Sequence, residues 1–192
     1  MFKIVRPALV LMALFSLTTG VLYPLALTAF AQVAFPFAAN GSILKSDGKA
    51  VGSALIGQQF TSDRYFHGRP SATSAPDPND ESKTVDAPYN GAASSGSNLG
   101  PLSKKLMARL AADAEALRSG RVSTSASGLD PHISLAYALL QVERVAKARQ
   151  LSAERVRLLV ETSVERPWLG LVGEVRISVL QLNLALDRLQ AT

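Results

Sequence analysis

From Pro7 through Leu44 the chain carries no charged residue, and from Lys45 onward charges recur at short intervals. Residues from Pro7 to about Phe30 are apolar or small. At about 1.5 Å of rise per residue, roughly 20 such residues cross a hydrocarbon core of about 30 Å. The pattern predicts an anchor over residues 1–34 and a water-soluble domain over 35–192. Pro24 removes a backbone donor inside the run and predicts a kink, which membranes tolerate where a neighbour re-satisfies the freed carbonyl. Phe35-Pro36-Phe37 ends the span as an aromatic marker for the interface.

Lys3 and Arg6 precede the run and no basic residue follows until Lys45. The positive-inside rule therefore leaves the N-terminus in the cytoplasm and exports the remainder. A cleaved signal peptide is the rival, since Ala29-Phe30-Ala31 before Gln32 has an A-x-A form. Secretory apolar regions are about 7–15 residues long, shorter than this one, which favours a retained, single-pass inner-membrane anchor. Either reading places the domain outside the cytoplasm.

Beyond the anchor, Ser42–Lys45 and Val51–Ile56 flank Asp47-Gly48, a hairpin signal. Residues 61–97 are rich in Ser, Pro, Asn, Asp and Gly without apolar periodicity, which predicts a long loop of functional or contact character. Pro101 is placed at the first position of a helix with a Leu102, Leu106, Leu110 and Leu117 stripe closed by Gly120. Asp130-Pro131 predicts a second helix start, with Ile133, Ala136, Leu140, Val145 and Ala146 on its buried face and an end near Arg149. Ser152 caps a third helix bearing Val156, Leu159 and Val160. Glu174–Ser178 alternates like a strand, and Val179, Leu182, Leu186 and Leu189 stripe a closing helix. The exported part is thus α+β.

Composition narrows the chemistry. The 192 residues are 47% hydrophobic and 18% charged, with a formal net charge of +5. A basic balance suits nucleic acid, but the basic residues are interleaved with acids, as in Glu143-Arg144 and Glu154-Arg155, without stacking aromatics. A solvated mixed-charge surface accounts for them, and no nucleic-acid partner is expected. The absence of cysteine excludes disulfides, thiol nucleophiles and Cys-based zinc sites. With only His67 and His132, no metal site is expected.

Three stretches hold candidate chemistry. Ser127, Asp130 and His132 contain the residue types of a hydrolase triad. They are nearly adjacent and lack the G-x-S-x-G elbow, so helix capping is the simpler account of Asp130. Tyr65-Phe66-His67-Gly68-Arg69-Pro70 suits either a recognition surface or a clamp on the loop's own base. Tyr89-Asn90 and the small residues through Asn98 suit either an anion-binding nest or a turn. No catalytic residue is assigned.

Read in order, these segments resemble the C subunit of the Kdp potassium-transporting P-type ATPase. The matching motifs are Thr19–Pro24, Asn40-Gly41-Ser42, Gly52–Gln58, Tyr65–Ala72, Ser95–Pro101, Ser125–Ser134, Gln141–Ala146 and Val179–Asp187. The chain departs from the family pattern between Gly120 and Ser123, where it is short, and at Glu165-Arg166-Pro167-Trp168. The resemblance implies a non-catalytic subunit assembled with a channel-like potassium-binding subunit, a P-type ATP-hydrolysing subunit and a small fourth subunit. It implies that ATP and potassium are handled by the complex, with no cofactor held by this chain. It also implies a catalytic chaperone that raises the pump subunit's ATP affinity, with Gln141 at the family's nucleotide-linked glutamine. An exported Gln141 does not meet cytoplasmic ATP, so coupling through the assembly is the easier physics. His67, Arg69, Tyr89, Asn90, Asn98, Asp130, His132, Gln141 and Arg144 are the residues expected to shape the contact surface.

Overall fold

A computed structural model describes residues 2–112, 123–167 and 173–190. The chain divides into two units, Met1–Ile43 and Leu44–Thr192. An N-terminal apolar helix is thus followed by a small mixed α/β domain.

The first unit is a helical run, Lys3–Ala34, long and apolar enough to cross a membrane. It comprises α1 (Phe2–Leu17), a π-turn at Thr18–Leu22 and α2 (Tyr23–Ala34). The disturbance expected at Pro24 is realised in that π-turn, where the Tyr23 amide reaches back to the Thr18 carbonyl. One wider turn brings the chain past a residue that cannot donate. The Thr19 and Thr28 hydroxyls donate to the carbonyls of Phe15 and Pro24, four residues back. A short α3 (Pro36–Ala39) follows.

The second unit opens on the expected hairpin, β1 (Ile43–Ser46) and β2 (Lys49–Ser53). Asp47 and Gly48 turn it with φ of 50° and 76°, the two successive positive values of a type I′ turn. The 61–97 interval is not free of secondary structure. It contains a second hairpin, β3 (Ser74–Asp77) and β4 (Asp80–Asp86), with Ala75 opposite Val85. Its turn is tied by Asp77 Oδ1 accepting from the Asn79 amide and by Asp80 Oδ1 accepting from Ser82.

Two helix starts move. Instead of Pro101, Ser103 precedes α4 (Lys104–Ala112), its hydroxyl accepting from the Leu106 amide, and Leu102 stays 94% exposed. Leu117 and Gly120 lie outside the described residues, as do Arg121, Val122 and Trp168 within the two departures from the family pattern. Asp130-Pro131 does not start a helix either. His132-Ile133 form β5, antiparallel to β6 (Ile177-Ser178), and α5 (Leu135–Arg149) is capped by Ser134. The strand expected over Glu174–Ser178 shortens to β6 plus a bridge between Arg176 and Glu165. α6 (Ala153–Thr162) begins at Ser152 as expected, and α7 (Val179–Gln190) closes the fold.

The core lies among α5, α6, α7 and β5–β6. Phe66, Ile133, Ala138, Val142, Val145, Val156, Val160, Ile177, Leu182 and Leu186 are buried there. Each fully buried Val, Leu, Ile or Phe stabilises the fold by about 1.5–3 kcal/mol. The buried face of α5 is Ala138, Gln141, Val142, Val145, Ala146 and Arg149, while Ala136 and Leu140 face outward. Two polar residues therefore sit on the inward stripe, and they hold the strap described next.

Candidate functional site

Residues 64–70 leave the turn at Asp63–Arg64 and form no regular secondary structure, and side chains supply most of the partners of their backbone. Arg149 Nε donates to the Arg64 carbonyl (2.7 Å) and Arg144 Nη2 to that of Tyr65 (3.0 Å). Asn183 on α7 takes both groups of Phe66: Oδ1 accepts from its amide (2.9 Å) and Nδ2 donates to its carbonyl (3.0 Å). Gln141 on α5 does the same for His67, Oε1 accepting from the amide (2.8 Å) and Nε2 donating to the carbonyl (3.2 Å). The Tyr89 hydroxyl donates to the Arg69 carbonyl (2.6 Å), and the Ser125 amide donates to that of Pro70 (3.0 Å). The Phe66 ring points into the core at 0% exposure. The hexapeptide is thus held in place by α5, α7 and Tyr89.

Gln141 is consumed in this work. It is 7% exposed, and its Oε1 also accepts from Arg144 Nη2 (2.8 Å). Burial, followed by the Arg144 guanidinium, pushes the His67 imidazole below its ordinary 6.5.

The second cluster adjoins the strap. Arg69 Nη1 meets Asp130 Oδ2 at 2.6 Å, and its other nitrogens donate to the Ser123 and Thr124 carbonyls and the Ser123 hydroxyl. Asp130 Oδ1 accepts from the His132 amide (2.9 Å). The His132 ring stands between two carboxylates, Nδ1 3.6 Å from Asp130 and Nε2 3.7 Å from Glu165. Glu165 in turn holds Arg176 at 3.0 Å. Asp130 is held at about 2 by the His132 imidazole and amide and by Arg69, against partial burial. Burial, then the charge of Asp130, pushes Tyr89 up to about 12. An open cleft of about 580 Å³ is lined by Arg69, Asp130, His132, Tyr137, Glu174 and Arg176.

This geometry corrects the capping account of Asp130, whose carboxylate serves Arg69 and the His132 turn. It also disposes of the hydrolase triad. The His132 nitrogens face two acids, while Ser127 Oγ pairs with the Ser125 hydroxyl and accepts from the Leu129 amide. The loop bearing Ser127 is tied down on three sides, its carbonyls taking the Gly57 and Ser95 amides and the Ser71 hydroxyl.

The remaining candidates stand apart from both clusters. Asn90 donates to Thr73 and Ser74 and accepts from the Ala92 amide, so turns at Pro88–Tyr89 and Gly91–Ala92 are tied to the segment Thr73–Ser74. Asn98 is exposed at φ 48°, a conformational role. Sequence reasoning missed Asn183, Glu165, Arg176 and Arg149. The Arg149 side chain, 2% exposed, pairs with Asp187 (2.7 Å) and lies 4.7 Å from the Tyr65 ring centre. The available signal was a polar residue at the spacing of an apolar stripe, as Asn183 stands beside Leu182 and Leu186.

Known proteins match this chain over its whole length. The family described as KdpC: K+-transporting ATPase, c chain, matches residues 5–188. A potassium-transporting ATPase KdpC subunit of Bradyrhizobium diazoefficiens is 54% identical, with 100% of both chains covered. Those of Rhodopseudomonas palustris (97% and 98% covered) and Methylobacterium nodulans (98% of each) are 56% identical. Matched from end to end in this way, the chain belongs to the KdpC family, the accessory c chains of K+-transporting ATPases.

Proposed function

We propose that this chain is the non-catalytic subunit of a high-affinity, ATP-driven potassium import complex. In this reading its first helix spans the inner membrane with the N-terminus in the cytoplasm, and its α/β domain stands on the outer side. It assembles with a channel-like potassium-binding subunit, a P-type ATP-hydrolysing subunit and a small fourth subunit. The observation that carries the reading is the KdpC match over residues 5–188. Lys3 and Arg6 ahead of a charge-free run support the orientation.

The chain's task is to stabilise the assembly and to raise the pump's ATP affinity. Gln141, engaged by His67 and Arg144, supports a route without ATP contact. A subunit that binds one state of the pump more tightly shifts that equilibrium. A coupling of about 1–3 kcal/mol changes ATP affinity roughly 5–150-fold.

Co-purification from membranes of potassium-starved cells tests the assembly: the chain emerges with the P-type and channel-like subunits, and a solitary monomer overturns the proposal. The chain has no cysteine, so Glu143→Cys provides a single label near Gln141. Its reaction with an impermeant maleimide on intact cells fits the orientation; protection until the cells are opened reverses it.

A further inference from the structure

The first unit ends in a small folded hook. The helix stops at Ala34 because Phe35, preceding a proline, leaves the helical region at φ −138° and ψ 56°. The chain then curls through α3 and closes on the helix it has just left. Asn40 Nδ2 donates to Gln32 Oε1 (3.0 Å) and to the Pro36 carbonyl (2.7 Å), and Gln32 Nε2 returns a longer bond to Asn40 Oδ1 (3.4 Å).

Much of its backbone is paired locally. The Phe35 amide donates back to Ala31 in the helix, and those of Ala39, Asn40, Gly41 and Ser42 donate to carbonyls of residues 35–38. Ser42 to Phe37 and Gly41 to Ala38 form the paired bonds of a Schellman cap, with Gly41 at φ 81°. Outward from this closed backbone stand Phe30, Phe35 and Phe37, each more than half exposed, with Phe30 and Phe35 edge to face at 6.2 Å. The segment carries no charge.

Three exposed phenyl rings are costly in water, whereas an uncharged segment with five of its amides already paired suits a place where water is scarce. Position supplies the occupant. The helical path from Arg6 to Phe35 is roughly 44 Å at about 1.5 Å per residue, matching a bilayer of about 40–45 Å with both headgroup regions. With Arg6 among one set of headgroups, the rings reach the other.

We propose that Phe30, Phe35 and Phe37, presented by the Gln32–Asn40 hook, form a lipid-binding foot seated at the headgroup–acyl boundary of the bilayer. The inference rests on reading residues 3–34 as a span. The foot fixes how far the helix can slide along the membrane normal, with the rings as the stop at one end and Lys3 and Arg6 at the other.

Depth-dependent quenching tests it on the full chain in nanodiscs. With Trp168 replaced by Phe to clear the background, a tryptophan is placed by Phe37→Trp, Leu22→Trp or Leu102→Trp. The lipid is phosphatidylcholine brominated near either the headgroup end or the methyl end of its acyl chain. Phe37→Trp is expected to be quenched about twofold more by the shallow bromine than by the deep one, and Leu22→Trp the reverse. Leu102→Trp answers only to aqueous acrylamide. If Leu22→Trp responds to deep bromine while Phe37→Trp responds only to acrylamide, the foot is wrong and the span stands. If neither responds to bromine, the span reading itself fails. Adding Asn40→Ala should abolish the shallow preference of Phe37→Trp; an unchanged preference would remove the hook from the proposal.

Discussion

Asn183 and Phe66, 117 positions apart, close a two-bond ring in which one carboxamide takes both the amide and the carbonyl of a single peptide residue. Gln141 repeats the arrangement on the next residue. Paired backbone usually answers a neighbouring strand or its own helix; here two helices answer it through side chains.

Asn183→Ala leaves two buried backbone groups unpaired, at about 1–3 kcal/mol each. A loss of about 2–6 kcal/mol is expected, read as a shift in the denaturant midpoint at constant slope. Asn183→Asp keeps the acceptor and loses the donor, so it should not rescue. Gln141→Ala is expected to destabilise similarly, and an ATP-response defect in that variant is interpretable only beside its unfolding curve.

Acid should unfold the domain partly through Asp130. Its folded carboxyl titrates at about 2, below its ordinary 3.8. The stabilisation is therefore complete above pH 3.8 and is lost as pH falls toward 2. It amounts to something on the order of 1–2 kcal/mol, since the group is partly exposed. Urea midpoints of Asp130→Asn should be lower at neutral pH and flatter between pH 4 and pH 2.

His67 behaves in the opposite sense from a salt-bridged histidine. The folded chain resists its protonation while the unfolded chain accepts a proton near 6.5. Stability is full above that pH and declines as acid is added, until the folded imidazole also titrates. Proton NMR should place one of the two imidazoles below 6.5. Arg144→Gln should move that midpoint upward, and an unmoved midpoint would remove the guanidinium as a cause.

Gly57→Ala tests the packing behind the second cluster. A Cβ there would collide with the Tyr89 ring and stand 2.7 Å from the Asp130 carbonyl. Over-packing typically costs about 1–3 kcal/mol, and backbone on one side leaves little room to yield. The thermal midpoint should drop; an unchanged one would mean that Tyr89 swings aside, visible as a lost Tyr89–Arg69 bond.

Much of this domain was legible because its helices obey apolar periodicity and its first turn uses Asp-Gly chemistry. The β3–β4 hairpin was not. Its strands hold Pro76 and a run of charged and hydroxyl residues, and its turn is closed by Asp77 and Asp80 side chains. The second start failed because Asp130-Pro131 imitates a cap, while Ser134, four residues on, performs it. His67, Arg69 and Asp130 stood out from the residues themselves, and family resemblance brought Gln141 into view. Asn183 and Arg149 escaped it because their partners are backbone groups far away in the chain, and the one local trace is a polar residue within an apolar stripe.

The strap works as a vernier between two helices. Gln141 and Asn183 reach adjacent peptides from α5 and α7, so sliding one helix past the other by a single residue would set one of them opposite the wrong rung. Neither helix can creep while the strap stays in place. The strap thus ties the register of α5 to that of α7, each helix holding one of two adjacent residues.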